Sequence, residues 1–208
     1  MASEQQQIEA VAFDLGGVLI DWDPRYVYRQ LFADPADMEE FLASVCTGDW
    51  HRAHDLGADI TQSCAELAAA HPEHRDMIMV WAERGEEMAA GQFDDTVELL
   101  SELKASGMPC YALSNMEPDA FRLRRARFAF MDWFDGHVIS GLEGVAKPDR
   151  RIFEILLDRH GLRPQRCVFI DDQARNVDAA RELGLLGLHF SSAARLRQDL
   201  SGLGLAVG

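Results

Sequence analysis

The feature that most limits the fold of this chain is a set of short, nearly continuous apolar runs that alternate with helical patterns. The runs are VAFDL, PCYALS (109–114), RCVFID (166–171) and LLGLHF (185–190), with HVIS (137–140) as a weaker fifth. Runs of this length without polar alternation are typical of strands covered on both faces. Their alternation with helices predicts a parallel sheet with right-handed crossovers.

Three helical patterns separate these runs. They cover TVELLSELKASG (96–107), PDRRIFEILLDRHG (148–161) and residues 173–184. Gly107 and Gly161 are expected to cap helix C-termini, because glycine readily takes the left-handed conformation, and Pro148 fits a first helical turn. The chain is therefore predicted to be an α/β protein with a doubly wound, Rossmann-like core.

The segment from about Asp21 to Gly91 lacks this alternation. It contains amphipathic helical patterns such as RYVYRQLFA, ADMEEFLASV, ITQSCAELAAA and EHRDMIMVWAERGEEM, with no strand-like run among them. We predict a core formed by residues 1–20 and 91–208 and an α-helical insertion formed by residues 21–90. A chain of 208 residues has room for one ordinary domain and a modest insertion.

Charge and composition narrow the classes of partner. The formal net charge is −15, and the field of such a protein repels nucleic acid and anionic membrane surfaces, so neither partner is expected. The N-terminal MASEQQQIEA is polar, no apolar stretch is long enough for a bilayer, and the four cysteines lack metal-site spacing. A soluble, cytoplasmic protein with buried free thiols is expected, and no pattern predicts its oligomeric state.

Polar residues follow three of the predicted strands, at the edge where open parallel sheets bind ligands. Asp14 follows VAF, Ser114 and Asn115 follow YAL, and Asp171 and Asp172 follow VFI. One polar residue at a strand end is commonly a cap or a turn former. Three strand ends that converge favour a binding or catalytic site instead.

A lysine adds a positive charge to this edge. Lys147 directly precedes the helix expected to start at Pro148, so its amine can reach over the same strand ends. A lysine beside a proline is otherwise an ordinary surface residue. Its position matters only in combination with the acids.

The series DLGGV (14–18), LSN (113–115), KP (147–148) and IDD (170–172) resembles the four ordered motifs of the haloacid dehalogenase superfamily, whose members are mostly phosphatases. The resemblance spans almost the whole chain, including a helical cap between the first two motifs. It implies a five-stranded parallel sheet with the first-motif strand in the middle. The first motif further resembles a D-x-G branch of glucose-1-phosphate-type phosphatases, which share the acidic stretch present here as DWDP.

By this resemblance, Asp14 is the nucleophile that forms an aspartyl phosphate, which water then hydrolyses. An anion that approaches a phosphate dianion needs positive charge, so Lys147 and Mg²⁺ are implied as well. The implied Mg²⁺ ligands are Asp14, the Gly16 carbonyl, Asp172 and Asp171, the last directly or through water. The implied phosphate-binding residues are Ser114, Asn115, Lys147 and the tightly folded backbone at Gly17.

The chain departs from the family pattern at residue 16. Most phosphatases of the superfamily carry there a second aspartate that protonates the leaving oxygen and later activates water, whereas this chain has Gly16. One hypothesis is a phosphatase for anomeric sugar phosphates or acyl phosphates. Their leaving groups depend less on general-acid help, which is commonly worth about 10²–10⁴-fold.

Two other hypotheses stay open. The chain could be a metal-independent 2-haloacid dehalogenase, although two adjacent acids, Asp171 and Asp172, are costly to hold together without a cation. It could also be a catalytically weak binding or regulatory module that kept the fold. The predicted activity is Mg²⁺-dependent hydrolysis of small phosphorylated metabolites, with sugar phosphates first.

Four residues of the insertion are candidates for the missing proton donor or for substrate selection. Asp21 and Asp23 are also explained as acids at a helix N-terminus. His51 and His54 follow Trp50, where side chains that face the crevice would select the substrate. The run FRLRRARF (121–128) is expected to be a charged helix surface, with attraction of an anionic substrate as the alternative.

Overall fold

The computed structural model describes residues 7–208, and a five-stranded parallel sheet forms its centre. The strands are β1 (Ala10–Phe13), β2 (Ile20–Trp22), β3 (Ala89–Gln92), β4 (Cys110–Ser114), β5 (Gly136–Ile139), β6 (Cys167–Asp171) and β7 (Leu186–His189). The sheet order is β5-β4-β1-β6-β7, and every pairing in it is parallel. The predicted fold is confirmed, with the first-motif strand in the middle.

Apolar sequence explains which strands occupy the centre. Every residue of β1, β4 and β6 is buried, as expected for strands covered on both faces. Alternate residues of β1 point to opposite faces: Val11 and Phe13 join one apolar cluster, whereas Ala10 and Ala12 join another. The sheet therefore has a core on each side.

Helices cover both faces of the sheet and also form the insertion. They are α1 (Arg25–Tyr28), α2 (Pro35–Ser44), α3 (Gly48–Asp55), α4 (Ile60–Ala70), α5 (Arg75–Arg84), α6 (Asp94–Ala105), α7 (Pro118–Arg127), α8 (Ser140–Glu143), α9 (Arg150–His160), α10 (Ala174–Glu182) and α11 (Ala193–Gly202). Single turns of 3-10 helix lie at Pro72–His74, Gly85–Met88, Ala129–Trp133 and Pro164–Arg166. α6 and α11 pack on one face, and α9 and α10 pack on the other.

The capping signals act as predicted. Gly161 follows α9 with φ of 63°, and Gly107 follows α6 with φ of 81°, so both take the left-handed conformation. α9 begins two residues later than expected, because the Asp149 carboxylate accepts a hydrogen bond from the Arg151 N–H and caps the helix. The Asp149 cap adjoins the loop that carries Lys147.

The insertion contains α1 to α5 and its own apolar cluster, which includes Tyr28, Phe41 and Trp81. It leaves and rejoins the core through an antiparallel ribbon of β2 and β3, which pairs Ile20 with Gln92 and Trp22 with Ala89. Sequence patterns did not predict this ribbon, since three- and four-residue strands are too short to show alternation. The ribbon lies at the expected boundary between core and insertion, and residues 1–6 of the expected core lie outside the described residues.

Two expectations from composition can be compared with the structure. All four cysteines are buried and unpaired. Among residues 7–208, no helix combines the length and the apolar character that crossing a membrane requires.

The stability of the core is expected to depend on Phe153. This side chain is fully buried and meets Phe169 edge-on, with ring centroids 5.2 Å apart. Phe153→Ala should lower the free energy of unfolding, measured by urea denaturation, by about 3–5 kcal/mol. Arg150→Ala, at an exposed position of the same helix, should lower it by less than about 1 kcal/mol. Equal losses in the two variants would contradict the assigned packing.

Candidate active site

The sheet order brings the predicted polar residues to one edge. β1 lies between β4 and β6, so Asp14, Ser114 and Asp171 stand on three adjacent strand ends. Lys147 lies in the loop before α9, and its side chain enters this edge with only 1% of its surface exposed. The structure therefore places together the acids, the serine and the lysine.

Lys147 joins two acids by direct ion pairs. Its Nζ lies 2.9 Å from Asp14 Oδ1 and 2.7 Å from Asp171 Oδ2. Burial by itself lowers the lysine pKa, but the two carboxylates outweigh burial, and the pKa stands above its usual value. Lys147 is therefore a fixed positive charge between the strands.

Asn115 holds the Lys147 backbone through both halves of its side-chain amide. Its Nδ2 donates to the Lys147 carbonyl at 3.0 Å, and its Oδ1 accepts from the Lys147 N–H at 2.8 Å. The amide thus positions the lysine, a role the sequence did not indicate. A contact between Asn115 and a phosphoryl oxygen stays a prediction. Asn115 could donate to such an oxygen only through its second Nδ2 hydrogen or its backbone N–H.

The hydrogen bonds to Asp14 converge on one carboxylate oxygen. Oδ1 accepts from the Leu15 N–H at 2.7 Å, from the Ser114 hydroxyl at 2.9 Å and from Lys147. Oδ2 accepts none from the described residues, which leaves it available as a nucleophile. Burial raises the Asp14 pKa to about 7; Asp171 also raises it, and Lys147 opposes both. This carboxylate needs another cation nearby to stay ionised.

Asp171 has little capacity left for a metal ion. Its Oδ1 accepts from the Gln173 N–H and the Asn176 amide, and its Oδ2 accepts from Lys147 and from the same amide. Each Asp171 oxygen thus already accepts from two donors, which leaves little room for a direct bond to a metal ion. Of the two arrangements expected for Asp171, the contact through water is the one this geometry favours.

The remaining acid and amide fit a hard divalent cation. Oxygens of Asp14, Asp171 and Asp172 all lie within 4.8 Å of one another. Asp172 Oδ1 and Asn176 Oδ1 are buried and have no hydrogen-bond partner among the described residues. Carboxylate and amide oxygens are the ligands that Mg²⁺ takes in proteins. The donor set is therefore suited to Mg²⁺, with Asp14 and Asp172 as the carboxylate ligands.

The two glycines after Asp14 differ in their surroundings. Gly17 has φ of 73°, and a Cβ there would lie 2.6 Å from Asp172 Oδ2, so the backbone approaches the acid as only glycine allows. A Cβ at Gly16 would meet no atom within 4 Å. Gly17 is thus required by geometry, whereas residue 16 has room for a side chain.

A cavity of about 620 Å³ lies above the strand ends and is covered by the insertion. Core residues in its lining include Asp14, Gly16, Gly17, Ser114, Asn115, Lys147, Asp172 and Asn176. The insertion adds aromatic and polar side chains, which include Trp22, His51, His54, Asp55, Trp81 and Glu86. Volumes of this size are typical of small-molecule sites.

The four candidates of the insertion separate into two pairs. His51 and His54 line the cavity; burial lowers each pKa to about 4, so both rings are neutral at pH 7. Asp21 and Asp23 do not line it. Asp21 accepts a hydrogen bond from Tyr26, and Asp23 accepts one from the Arg25 N–H at the start of α1, as expected of a helix N-terminal acid.

The lining also contains charged residues that the sequence did not single out, among them Arg124 and Asp55. The run FRLRRARF was expected to be a charged surface, which is wrong for Arg124: this side chain is buried, and its Nε has no hydrogen-bond partner among the described residues. Arg125 fits the expectation, since it is exposed and pairs with Asp132. No sequence signal distinguishes these arginines, because only the packing of α7 decides which one faces the cavity.

Comparison with known proteins agrees with this site. A family model described as haloacid dehalogenase-like hydrolase matches residues 8–184. The chain belongs to this family. It is 29% identical to a sesquiterpene phosphatase of Aspergillus oryzae, over 92% of this chain and 94% of that protein. It is 27% identical to a phosphorylated carbohydrates phosphatase of Thermotoga maritima, over 86% of this chain and 82% of that protein.

A solved structure shares the fold of this hydrolase. It is a haloacid dehalogenase family enzyme from Bacteroides thetaiotaomicron in complex with magnesium and inorganic phosphate. The TM-score is 0.65 at 21% identity, over 88% of this chain and 94% of that chain. Family membership makes this chain a hydrolase.

Mg²⁺ is expected to stabilise the protein, and more so at high pH. In the metal-free protein the Asp14 pKa rises from 3.8 to about 7, so the protonated form is favoured and stability falls as pH rises through this window. When Mg²⁺ binds to the Asp14 carboxylate, it takes the place of this proton. Thermal unfolding should show a larger Tm increase with MgCl₂ at about pH 8 than at about pH 5. At 100 times Kd, the free energy of unfolding should increase by about 2.7 kcal/mol. Asp172→Asn should remove most of the increase; an unchanged increase would contradict this metal site.

Gly17→Ala is expected to weaken Mg²⁺ binding. The added Cβ would collide with the Asp172 carboxylate and would also sit at a positive φ, so the acid must move. Isothermal titration with MgCl₂ should show at least about a tenfold increase in Kd. Gly48→Ala is the matched control, because a Cβ there meets no atom and the backbone is helical. Wild-type affinity in the Gly17 variant would contradict the close approach.

Proposed function

We propose that this hydrolase is a Mg²⁺-dependent phosphomonoesterase that acts on small phosphorylated metabolites through an aspartyl-phosphate intermediate. The observation that carries the proposal is Asp14 Oδ2, unbonded at the edge of a covered cavity, with Lys147 2.9 Å from the other carboxylate oxygen. Bound at Asp14 and Asp172, Mg²⁺ would supply the second positive charge that a dianionic substrate requires.

The chain's own residues account for the two steps. Asp14 Oδ2 attacks phosphorus, the bond to the leaving oxygen breaks, and an acyl phosphate forms on Asp14. Lys147 and the Ser114 hydroxyl hold Asp14 in place and lie close enough to bind oxygens of the transferring group. Water then attacks phosphorus, which releases inorganic phosphate and restores the carboxylate.

Charge in the cavity favours a leaving group that carries no second anion. The lining contains eight carboxyl groups and four cationic side chains, so a further phosphate or carboxylate on the substrate would be repelled. His51, His54 and Arg124 also present buried nitrogens that no described residue bonds. Hydroxyl groups would satisfy these nitrogens, since a buried polar atom without a partner is costly.

Sugar phosphates therefore fit the cavity best among the hypotheses. They combine one phosphate with several hydroxyls, and anomeric sugar phosphates also have a relatively acidic leaving oxygen. The Thermotoga maritima relative is named for phosphorylated carbohydrates, which supports this class. The Aspergillus oryzae relative is named for a sesquiterpene substrate, so apolar alkyl phosphates are the class to compare. The insertion would exclude water from the cavity and select the leaving group.

The proposal is tested by a phosphate-release screen with and without Mg²⁺. The compounds to be tested are glucose 1-phosphate, glucose 6-phosphate, acetyl phosphate, nucleoside monophosphates and farnesyl phosphate. Turnover should vanish with a chelator, and Asp14→Asn should reduce kcat by more than about 10³-fold because the nucleophile is lost. Asp76→Asn, at an exposed position of α5, should retain full activity.

Three outcomes would overturn the proposed function. Halide release from 2-haloacids without metal would make the protein a dehalogenase. Retention of phosphate release in Asp14→Asn would remove Asp14 from the reaction. Binding of sugar phosphates without turnover of any substrate would favour the regulatory module.

A further inference from the structure

Gly16 leaves the reaction without a proton donor from the first motif. The leaving oxygen of an alkyl phosphate needs a proton, and the water of the second step needs a base. The donor must be an acid in the cavity that can change its protonation state near neutral pH. The carboxyl groups of the lining outside the metal site are Asp55, Glu83, Glu86, Glu87, Glu117 and Asp119.

Among the acids that the insertion contributes, Asp55 is anchored directly to the core. It is the last residue of α3, and its backbone carbonyl accepts a hydrogen bond from the Ser140 hydroxyl at the end of β5. Ser140 Oγ in turn accepts from the Met116 N–H at 2.9 Å, just after Asn115. The position of Asp55 is therefore fixed to the loop that follows β4, although the residue belongs to the insertion.

The chain just after Asp55 packs tightly on the same part of the core. A Cβ at Gly57 would lie 2.9 Å from the Gly141 carbonyl oxygen, and Gly57 has φ of 95°. α3 and α8 are thus in close backbone contact. Because of this contact, Asp55 cannot shift without moving the whole end of α3.

The Asp55 side chain is available for proton transfer. It lines the cavity that contains Asp14, its side chain is 17% exposed, and no residue in 7–208 donates a hydrogen bond to its carboxyl oxygens. The nearest nitrogen is His51 Nε2, 3.9 Å from Oδ1, which is beyond hydrogen-bond distance. Because Asp55 lines the open cavity and keeps some exposed surface, a bound substrate can reach its carboxyl oxygens.

We propose that Asp55 is the general acid and base that replaces the family's second aspartate. This role rests on the proposed phosphatase function. In the first step, the P–O bond to the leaving group breaks as Asp14 bonds to phosphorus, and the Asp55 carboxyl gives its proton to the leaving oxygen. In the second step, water attacks phosphorus, the Asp14–phosphorus bond breaks, and the Asp55 carboxylate takes the proton of the water.

Electrostatics at Asp55 support this role. Burial raises the Asp55 pKa to about 6, while Lys147, Arg52 and Arg124 lower it and Glu117 raises it. Lys147 is the strongest of these charges. A pKa near neutral suits a group that must give and regain a proton in each cycle. His51, on the preceding turn of α3, is neutral and stacks on Trp22, with ring centroids 5.1 Å apart.

The test compares Asp55→Asn with Asp49→Asn, an exposed position at the other end of the same helix that does not line the cavity. Two probes are used: p-nitrophenyl phosphate, whose leaving group departs without a proton, and the alkyl phosphate that the native protein hydrolyses fastest. With Asp55→Asn, kcat/KM should fall about 10²–10⁴-fold for the alkyl phosphate and less than about tenfold for p-nitrophenyl phosphate. Asp49→Asn should match the native protein with both probes.

The second step gives an independent measurement. Without a base, Asp55→Asn should release nitrophenolate in a burst and accumulate phosphorylated protein, detected by intact mass after an acid quench. Gly16→Asp in the Asp55→Asn background should recover at least about tenfold of the alkyl phosphatase activity, since residue 16 has room for a side chain. Gly16→Asn in the same background should recover none.

Several outcomes would overturn the assignment. Equal loss with both probes, or equal effects of Gly16→Asp and Gly16→Asn, would make Asp55 a structural residue. Selective loss of alkyl phosphatase activity in His51→Gln, with Asp55→Asn unaffected, would place the proton on the histidine. A different result would contradict the proposed function itself: no phosphate release by the native protein, or full activity of Asp14→Asn.

Discussion

The buried contact of Lys147 with Asp14 and Asp171 is the interaction on which the rest of the site depends. Two carboxylates at adjacent strand ends would repel each other at this depth, and one ammonium group between them makes the arrangement possible. Asp172 adds a third acid, so the cluster with all acids ionised has a charge of about −2. A divalent cation restores neutrality. The charge of the proposed metal therefore follows from the number of acids that the fold brings to one lysine.

The α/β topology builds this cluster from four distant segments. Because β1 lies between β4 and β6, the first, second and fourth motifs meet at one edge without any long loop. Lys147 comes from none of these strands, and the Asn115 amide fixes its backbone with two hydrogen bonds. The Asn176 amide and the Gln173 N–H donate hydrogen bonds to the Asp171 carboxylate and hold it in place. Each reacting group thus has a second residue that sets its position, as preorganised sites require.

Sequence patterns were sufficient for the core and insufficient for the insertion. Continuous apolar runs mark buried strands, and the residue after each run falls at the ligand-binding edge, so Asp14, Ser114 and Asp171 could be predicted. The hydrogen bonds from Asn176 to Asp171 could not be predicted from the sequence, since they depend on the turn between β6 and α10. Arg124 and Asp55 lie in short, polar helices, where the sequence pattern does not indicate which charged residue borders the cavity. The β2–β3 ribbon was missed because its strands are too short to show periodicity.

A proton donor on the insertion changes how catalysis relates to closure of the cavity. In the usual family arrangement, nucleophile and acid share the first motif, which belongs to the core. In the proposed mechanism the acid belongs to the insertion, so its position depends on the contact of the end of α3 with Ser140 and Gly141. A substrate that prevents docking would still meet Asp14 but would lack the proton. Leaving-group selection by the insertion therefore acts on the chemical step as well as on binding, which is the form of specificity that induced fit provides.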